Sequence, residues 1–426
     1  MNILIKNGRV IDPSSGLDSV KDVLVENGVI ADVSGKIKPG KARVIDAAGL
    51  VVSPGFIDLH VHLREPGYEY KETIETGARA AAAGGFSAVC CMANSDPVND
   101  NGSITRSIIE KAQKAGSARV YPIGAVTKGL KGTELAEMGG MKEAGAVAVS
   151  DDGNCVTSAR IVRNGMEYAS MFGLTLVEHC EDDSMTADGV INEGKVSAQY
   201  GMKGIPSVAE DAIVQRDILI SEYTGHPVHL AHLSTRGAVD AVRRAKAKNI
   251  KVTCEAAPHH FTLTEKKLES FNANCKMNPP LRTADDVAAI REGLKDGTID
   301  AIATDHAPHA EWEKEVEIDQ APFGVVGLET ALGVALRLVE KNVLTLPDLI
   351  ALFTSRPAGI FNLPGGNLRK GSPADICIFD PGKKWVVDPQ SFLSKGKNSP
   401  FTGMELKGKN LLTVVGGRMV YNPTNL

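Results

Sequence analysis

The sequence predicts an α/β protein: a (β/α)8 TIM barrel carrying a small β-sandwich domain formed by both termini. Three observations lead there. Eight short apolar runs alternate with stretches of helical spacing through the middle of the chain, implying a parallel sheet closed by covering helices. Both ends of the chain read instead as strands broken by glycine or Asn-Gly. No G-x-G-x-x-G follows an early strand, which weakens the rival open sheet of the dinucleotide-binding kind.

Length and composition bound this picture. For 426 residues, domain-size statistics suggest about three domains, but one barrel can absorb 200–250 residues or more. The expected division is a barrel over 54–366 and a composite β-domain from 1–53 plus 367–426. Hydrophobic residues at 43% and charged residues at 23% exclude a disordered chain. A net charge of −5 lacks the electrostatic footprint of a nucleic-acid binder. The 43 glycines suit a fold with many tight turns. Seven cysteines without a C-x-x-C pair support neither a disulfide framework nor a zinc ribbon. The opening MNILIKNGRV lacks a signal-peptide core, and no run approaches the roughly 18–20 apolar residues of a membrane span. The expectation is a reduced, cytoplasmic protein with no nucleic-acid or membrane partner.

The elements follow in order. ILIKNGRVID, DVLVENGVIADV and RVIDAAGLVV alternate apolar and polar residues, and Asn7-Gly8 and Asn27-Gly28 are predicted hairpin turns. The barrel strands are FIDLHVHLR, FSAVCCMAN, RVYPIGAVT, AVAVSDDG, LTLVEHCED, PVHLAHLST, KVTCEAAPHH and AIATDHAPH. Helical spacing marks TIETGARAAAAGG, SITRSIIEKAQKAG, VAEDAIVQRDILISEYTG, RGAVDAVRRAKAKN and TADDVAAIREGLKDG. ADICIFDP, KWVVDP and LLTVVGGRMVY return to strand near the C-terminus.

Chemistry collects at the strand ends. His60 and His62 are two apart, so on a strand they share one face and can bind one ion. The fourth run ends in Asp151-Asp152-Gly153, the fifth in Glu178-His179-Cys180-Glu181-Asp182, the sixth in His232 and the eighth in Asp305-His306-Ala307-Pro308-His309. Charged groups directly after apolar strands must be paired, metal-bound or exposed. Each alone could be a helix cap or a solvated loop, but four histidines and two carboxylates at converging strand ends suit one or two divalent ions such as zinc. Spacing alone does not choose between Asp151 and Asp152. His226, His229, His259 and His260 receive no role, Cys90 and Cys91 read as core, and Glu311–Glu315 reads as a loop that is either solvated or mobile over the site.

The motifs PGFIDLHVHLREPG, SDDG, VEHCED, HLAHLS and ATDHAPH resemble the amidohydrolase superfamily of metal-dependent hydrolases, and within it the type I dihydroorotases. The resemblance runs nearly the full length. It implies that His60 and His62 bind a first zinc ion and His179 and His232 a second. It further implies that Asp152 bridges the two, while Asp305 lies on the first metal as proton shuttle. Relatives elsewhere in the superfamily bridge with a carbamylated lysine, which this chain lacks at that place. The implied substrate is a six-membered cyclic imide bearing a carboxylate. Arg64, just past His62, suits bidentate carboxylate recognition. By resemblance, Asn94 and His309 complete that pocket, while Asn278 and the backbone of Phe323 and Gly324 hold the ring; His62 also touches substrate. Asn278-Pro279 is equally a turn signal. The implied reaction is reversible closure of N-carbamoyl-L-aspartate to dihydroorotate in pyrimidine biosynthesis. A homodimer or an assembly with aspartate transcarbamoylase is the implied partnership.

Two rivals remain at this stage. Another cyclic amidase (dihydropyrimidinase, hydantoinase or allantoinase) would use the bridging lysine and need no Arg64. A non-catalytic scaffold relative would have lost metal ligands, whereas every expected ligand is present.

Overall fold

The computed structural model describes residues 2–186 and 188–426. Eight strands form one sheet in chain order: Phe56–Val61, Phe86–Cys91, Arg119–Gly124, Ala148–Ser150, Thr175–Glu178, Val228–Leu230, Val252–Ala256 and Ala301–Ile302. Every neighbouring pair is parallel. The ring closes where Val61 bridges His306 and the His62 N–H donates to the His306 carbonyl at 2.8 Å. Each predicted apolar run supplies its strand. Ile57, Cys90, Ile123, Val177 and Ala301 come from five different strands yet share one buried cluster with Phe361, so they fill the barrel interior.

Helices form where caps and apolar stripes coincide. Ile74–Gly84 opens on Thr73, whose side chain accepts from the Thr76 N–H, and ends at Gly85. Its buried alanines let the helix lie close to the sheet. Ala284–Asp296 opens on a capping box of Thr283 with Asp286. These helices run from strand end to next strand start, leaving the strand C-termini free for the loops that carry the polar residues.

The chain ends meet in a second sheet. Ile3–Asp12, Leu17–Glu26, Val29–Ser34, Arg43–Asp46 and Val51–Pro54 join Ile376–Val386, Glu405–Val415 and Arg418–Tyr421. Val51–Pro54 pairs antiparallel with Ile376–Phe379, stitching the two ends together one residue before the first barrel strand. The sheet branches at Ile3–Asp12, which pairs with Arg43–Asp46 through one half and with Val51 and Val52 through the other. Ile5, Val25, Ile45, Ile376 and Leu412 share its core.

One expectation fails. Asn7-Gly8 is no hairpin turn but a bulge within the strand Ile3–Asp12, where the register shifts and Asn7 takes φ 62°. Asn27-Gly28 does form the two-residue turn, with φ of 50° and 81° between the paired Glu26 and Val29. All seven cysteines are buried and free, Cys90 and Cys91 among them. Among the described residues, no helix is long and apolar enough to cross a membrane.

Candidate active site

Six side chains from five strand ends converge above the barrel. Asp152 stands at the centre, 3% exposed. Its Oδ2 lies 3.3 Å from His60 Nε2 and 3.4 Å from His62 Nε2. Its Oδ1 lies 3.2 Å from His232 Nε2 and 3.6 Å from His179 Nδ1. Each carboxylate oxygen therefore faces its own histidine pair. Asp305 Oδ1 closes the first pair, 3.1 Å from His62 Nε2 and 3.6 Å from His60 Nε2. Asp151, which spacing could not separate from Asp152, is turned away. It accepts from the Val126 and Thr127 N–H groups at 2.8 and 2.9 Å and from the Thr127 hydroxyl.

Groups behind these residues aim them. His60 Nδ1 is 3.0 Å from Glu255, His62 Nδ1 is 2.9 Å from Asn94 Oδ1, and His179 Nε2 is 2.9 Å from Glu181. The strand pairing also shifts register between Asp58 and Val61, an irregularity that contains His60 and immediately precedes His62. Arg64, His232 and Asp305 all sit at positive φ (63°, 30° and 48°). Such backbone costs about 1–3 kcal/mol per residue and persists where surrounding structure enforces it, typically at functional sites. Glu255 and Glu181 went unassigned in the sequence. Glu181 was findable, lying two residues from His179; Glu255 was signalled only as a charge inside an apolar strand, which needs a partner.

The arrangement fits a divalent cation. The Nδ1 of His60 donates to Glu255, so in a neutral ring Nε2 carries a lone pair. That nitrogen is buried, has no hydrogen-bond partner and faces two carboxylates. A lone pair facing two anions is repelled unless a cation, a divalent ion or a proton on Nε2, lies between them. Donors bound tetrahedrally at 2.0–2.1 Å lie roughly 3.3 Å from one another, matching the spacings above. His60, Asp152 and His232 form one group close enough to share an ion; His60, His62 and Asp305 form another.

Beside this cluster lies a second group of polar side chains around Arg64. The Arg64 guanidinium makes no ion pair among the described residues; its Nε donates to the Pro308 carbonyl at 3.2 Å and it approaches His309 Nε2 at 3.4 Å. The Phe323 carbonyl can only accept, so its 2.8 Å bond fixes the proton of His309 on Nε2. Burial, with the charges of Arg64, Lys314 and Lys71, pushes the His309 pKa down to about 2, leaving a neutral ring. The Asn94 carboxamide sets its oxygen on His62 Nδ1 at 2.9 Å, and its amino group donates to no partner among the described residues. Asn278 donates at 2.5 Å to Glu181 Oε2, the same oxygen that meets His179 Nε2. Gly324 N–H donates to the Lys276 carbonyl at 3.0 Å, so it is engaged within the protein. Glu311–Lys314 is a short helix: Trp312 stacks on Tyr70 at 6.1 Å and Glu313 pairs with Lys71 at 2.8 Å. His229, His259 and His260 are buried, and His260 Nε2 bonds the Pro279 carbonyl. A cavity of about 970 Å³ adjoins the site through Glu181 and Phe323.

Residues 49–238 match the family described as dihydro-orotase-like. The chain is 55% identical over 421 residues to a dihydroorotase from Syntrophotalea carbinolica, covering 99% of each. It is 54% identical over 422 residues to one from Geobacter metallireducens, covering 99% of this chain and 100% of the relative. Among solved structures, an L-hydantoinase (dihydropyrimidinase) from Arthrobacter aurescens superposes with a TM-score of 0.87 at 27% identity, covering 99% of this chain and 96% of its own. A dihydropyrimidinase from Brevibacillus agri gives 0.85 at 22% identity over 99% and 95%, a likeness of fold alone.

Proposed function

The chain belongs to the dihydroorotase family of the amidohydrolase superfamily, and from that premise we propose how its residues divide the work. Its activity is that of a cyclic amide hydrolase, EC 3.5.2.3: reversible closure of N-carbamoyl-L-aspartate to (S)-dihydroorotate and water, in pyrimidine biosynthesis. In this reading His60 and His62, with Asp305, would hold one zinc ion, His179 and His232 a second, and Asp152 would serve both. The barrel spans 54–366 and the terminal unit 1–53 plus 367–426.

Bound there, zinc supplies Lewis acidity and lowers the pKa of a water to roughly neutral. The chain's own groups do the rest. Arg64 takes the substrate carboxylate as a two-pronged donor, with the Asn94 amino group and His309 beside it. The Asn278 side-chain oxygen and the Phe323 and Gly324 carbonyls, each with a second lone pair to offer, hold the ring. Asp305 takes the proton of the attacking water and returns it to the ring nitrogen as the C–N bond breaks; cyclisation runs the same path backwards. The Asp305 Oδ1, 3.1 Å from His62 Nε2 and 3.6 Å from His60 Nε2, stands beside both histidines and can accept that proton.

The observation that carries this reading is the unpaired Arg64 guanidinium beside a carboxylate flanked by two histidine pairs. The test is metal analysis and turnover of dihydroorotate before and after chelation. Bound zinc, loss of activity on its removal and recovery on its return are expected. Full turnover in metal-free protein contradicts the reading.

A further inference from the structure

Residues 392–399 lie in the chain between two strands of the terminal sheet, Ile376–Val386 and Glu405–Val415, yet they reach the barrel loops. Asn398 is 3% exposed. Its amino group donates to the Ala307 and Gly324 carbonyls, both at 3.0 Å, and its Oδ1 accepts from the His309 N–H at 3.1 Å. Its own carbonyl accepts from the Val326 N–H at 3.0 Å. One buried amide thus pins together the loop bearing Asp305 and His309 and the loop bearing Phe323 and Gly324. Gly396 presses on the same place: a Cβ there would lie 2.6 Å from Pro308 Cβ.

We propose that Asn398 is a positioning residue for the carboxylate end of the substrate, acting through the His309 and Gly324 backbone to set His309 against Arg64. This inference rests on the dihydroorotase reading. A buried amide with every partner satisfied is rigid, and its loss leaves two carbonyls and an N–H unpaired, so the loops shift. None of its side-chain bonds reaches the Asp305 carboxylate or the histidines around Asp152. The effect therefore falls on substrate binding, with the metal ligands and proton transfer left intact.

The test compares zinc-loaded, full-length Asn398→Ala and Gly396→Ala with wild type on dihydroorotate, each in wild-type and His309→Ala backgrounds. The expected result is a KM raised about tenfold with kcat within about threefold and unchanged zinc content. In the His309→Ala background the KM effect should shrink to less than about twofold, because residues acting in series are not additive. If Asn398→Ala does not fold, Gly396→Ala decides by the same criteria. Unchanged KM, a loss confined to kcat or zinc content, or full additivity with His309→Ala overturns the proposal. Wild-type protein inactive on dihydroorotate overturns the underlying reading as well, and the wild-type arm alone reveals it.

Discussion

Glu255 holds His60 and His229 at once, 3.0 Å from Nδ1 of the first and 3.2 Å from Nε2 of the second. All three are at most 1% exposed, and Thr253 closes the chain at 2.8 Å from His229 Nδ1. A carboxylate only accepts, so Glu255 fixes the tautomer of His60 and turns its other nitrogen toward Asp152 and Asp305. Burial opposes the charge on Glu255, but hydrogen bonds to His229 and His60 bring its pKa down to about 2.

Glu255→Gln removes that anion while keeping its shape. The expected outcome is a metal affinity about 10–100-fold weaker, measured by competition with a chelator. Unchanged affinity would show that His60 needs no support from behind.

Asp305→Asn keeps a ligand-sized side chain but cannot accept the proton. Turnover should fall by about 10²–10⁴ with bound metal retained. Near-normal rates remove Asp305 from the shuttle role.

Arg64→Lys retains the charge and loses the fork. KM for dihydroorotate should rise at least about tenfold, on the order of 1.5–3 kcal/mol of binding, with kcat little changed. An unaltered KM would place the substrate carboxylate elsewhere.

Glu329 accepts from the Leu393 and Ser394 N–H groups at 2.8 and 3.1 Å, anchoring the segment that carries Asn398. Burial raises its pKa from 4.5 to about 7, against the pull of those two bonds. Between these values the folded protein holds more protons than the unfolded chain, so this group's contribution to stability falls as pH rises. Glu329→Gln keeps an acceptor and loses the titration. The variant should be more stable than wild type at pH 8, by on the order of 1–3 kcal/mol, and the gap should close below about pH 4.5. Denaturant melts at both pH values check this; a gap independent of pH contradicts it.

The barrel and much of the candidate site were legible in the sequence because the strands announce themselves as apolar runs, five of them ending in ligand-type residues. His60-Val61-His62 and Asp305-His306 are such ends, and their convergence follows from barrel closure. What could not be read depends on contacts across the barrel or between distant segments. Asp151 and Asp152 share one chemistry, and only the Val126 and Thr127 N–H groups separate them. Glu255 meets His60 across the closed sheet, and Asn398 meets His309 from 89 residues away. Asn7-Gly8 has the composition of a turn, but Asn7 supplies the positive φ of a bulge. Periodicity reports which face a residue takes, and is silent on what another strand brings to it.

In the proposed reading, Arg64 and the side chains around Asp152 together select a ring bearing a carboxylate. Ring-opening rates of zinc-loaded protein on dihydroorotate, dihydrouracil, hydantoin and allantoin test this selection. Fastest turnover of dihydroorotate, releasing N-carbamoyl-aspartate, is expected. Faster turnover of any of the uncharged rings would contradict it.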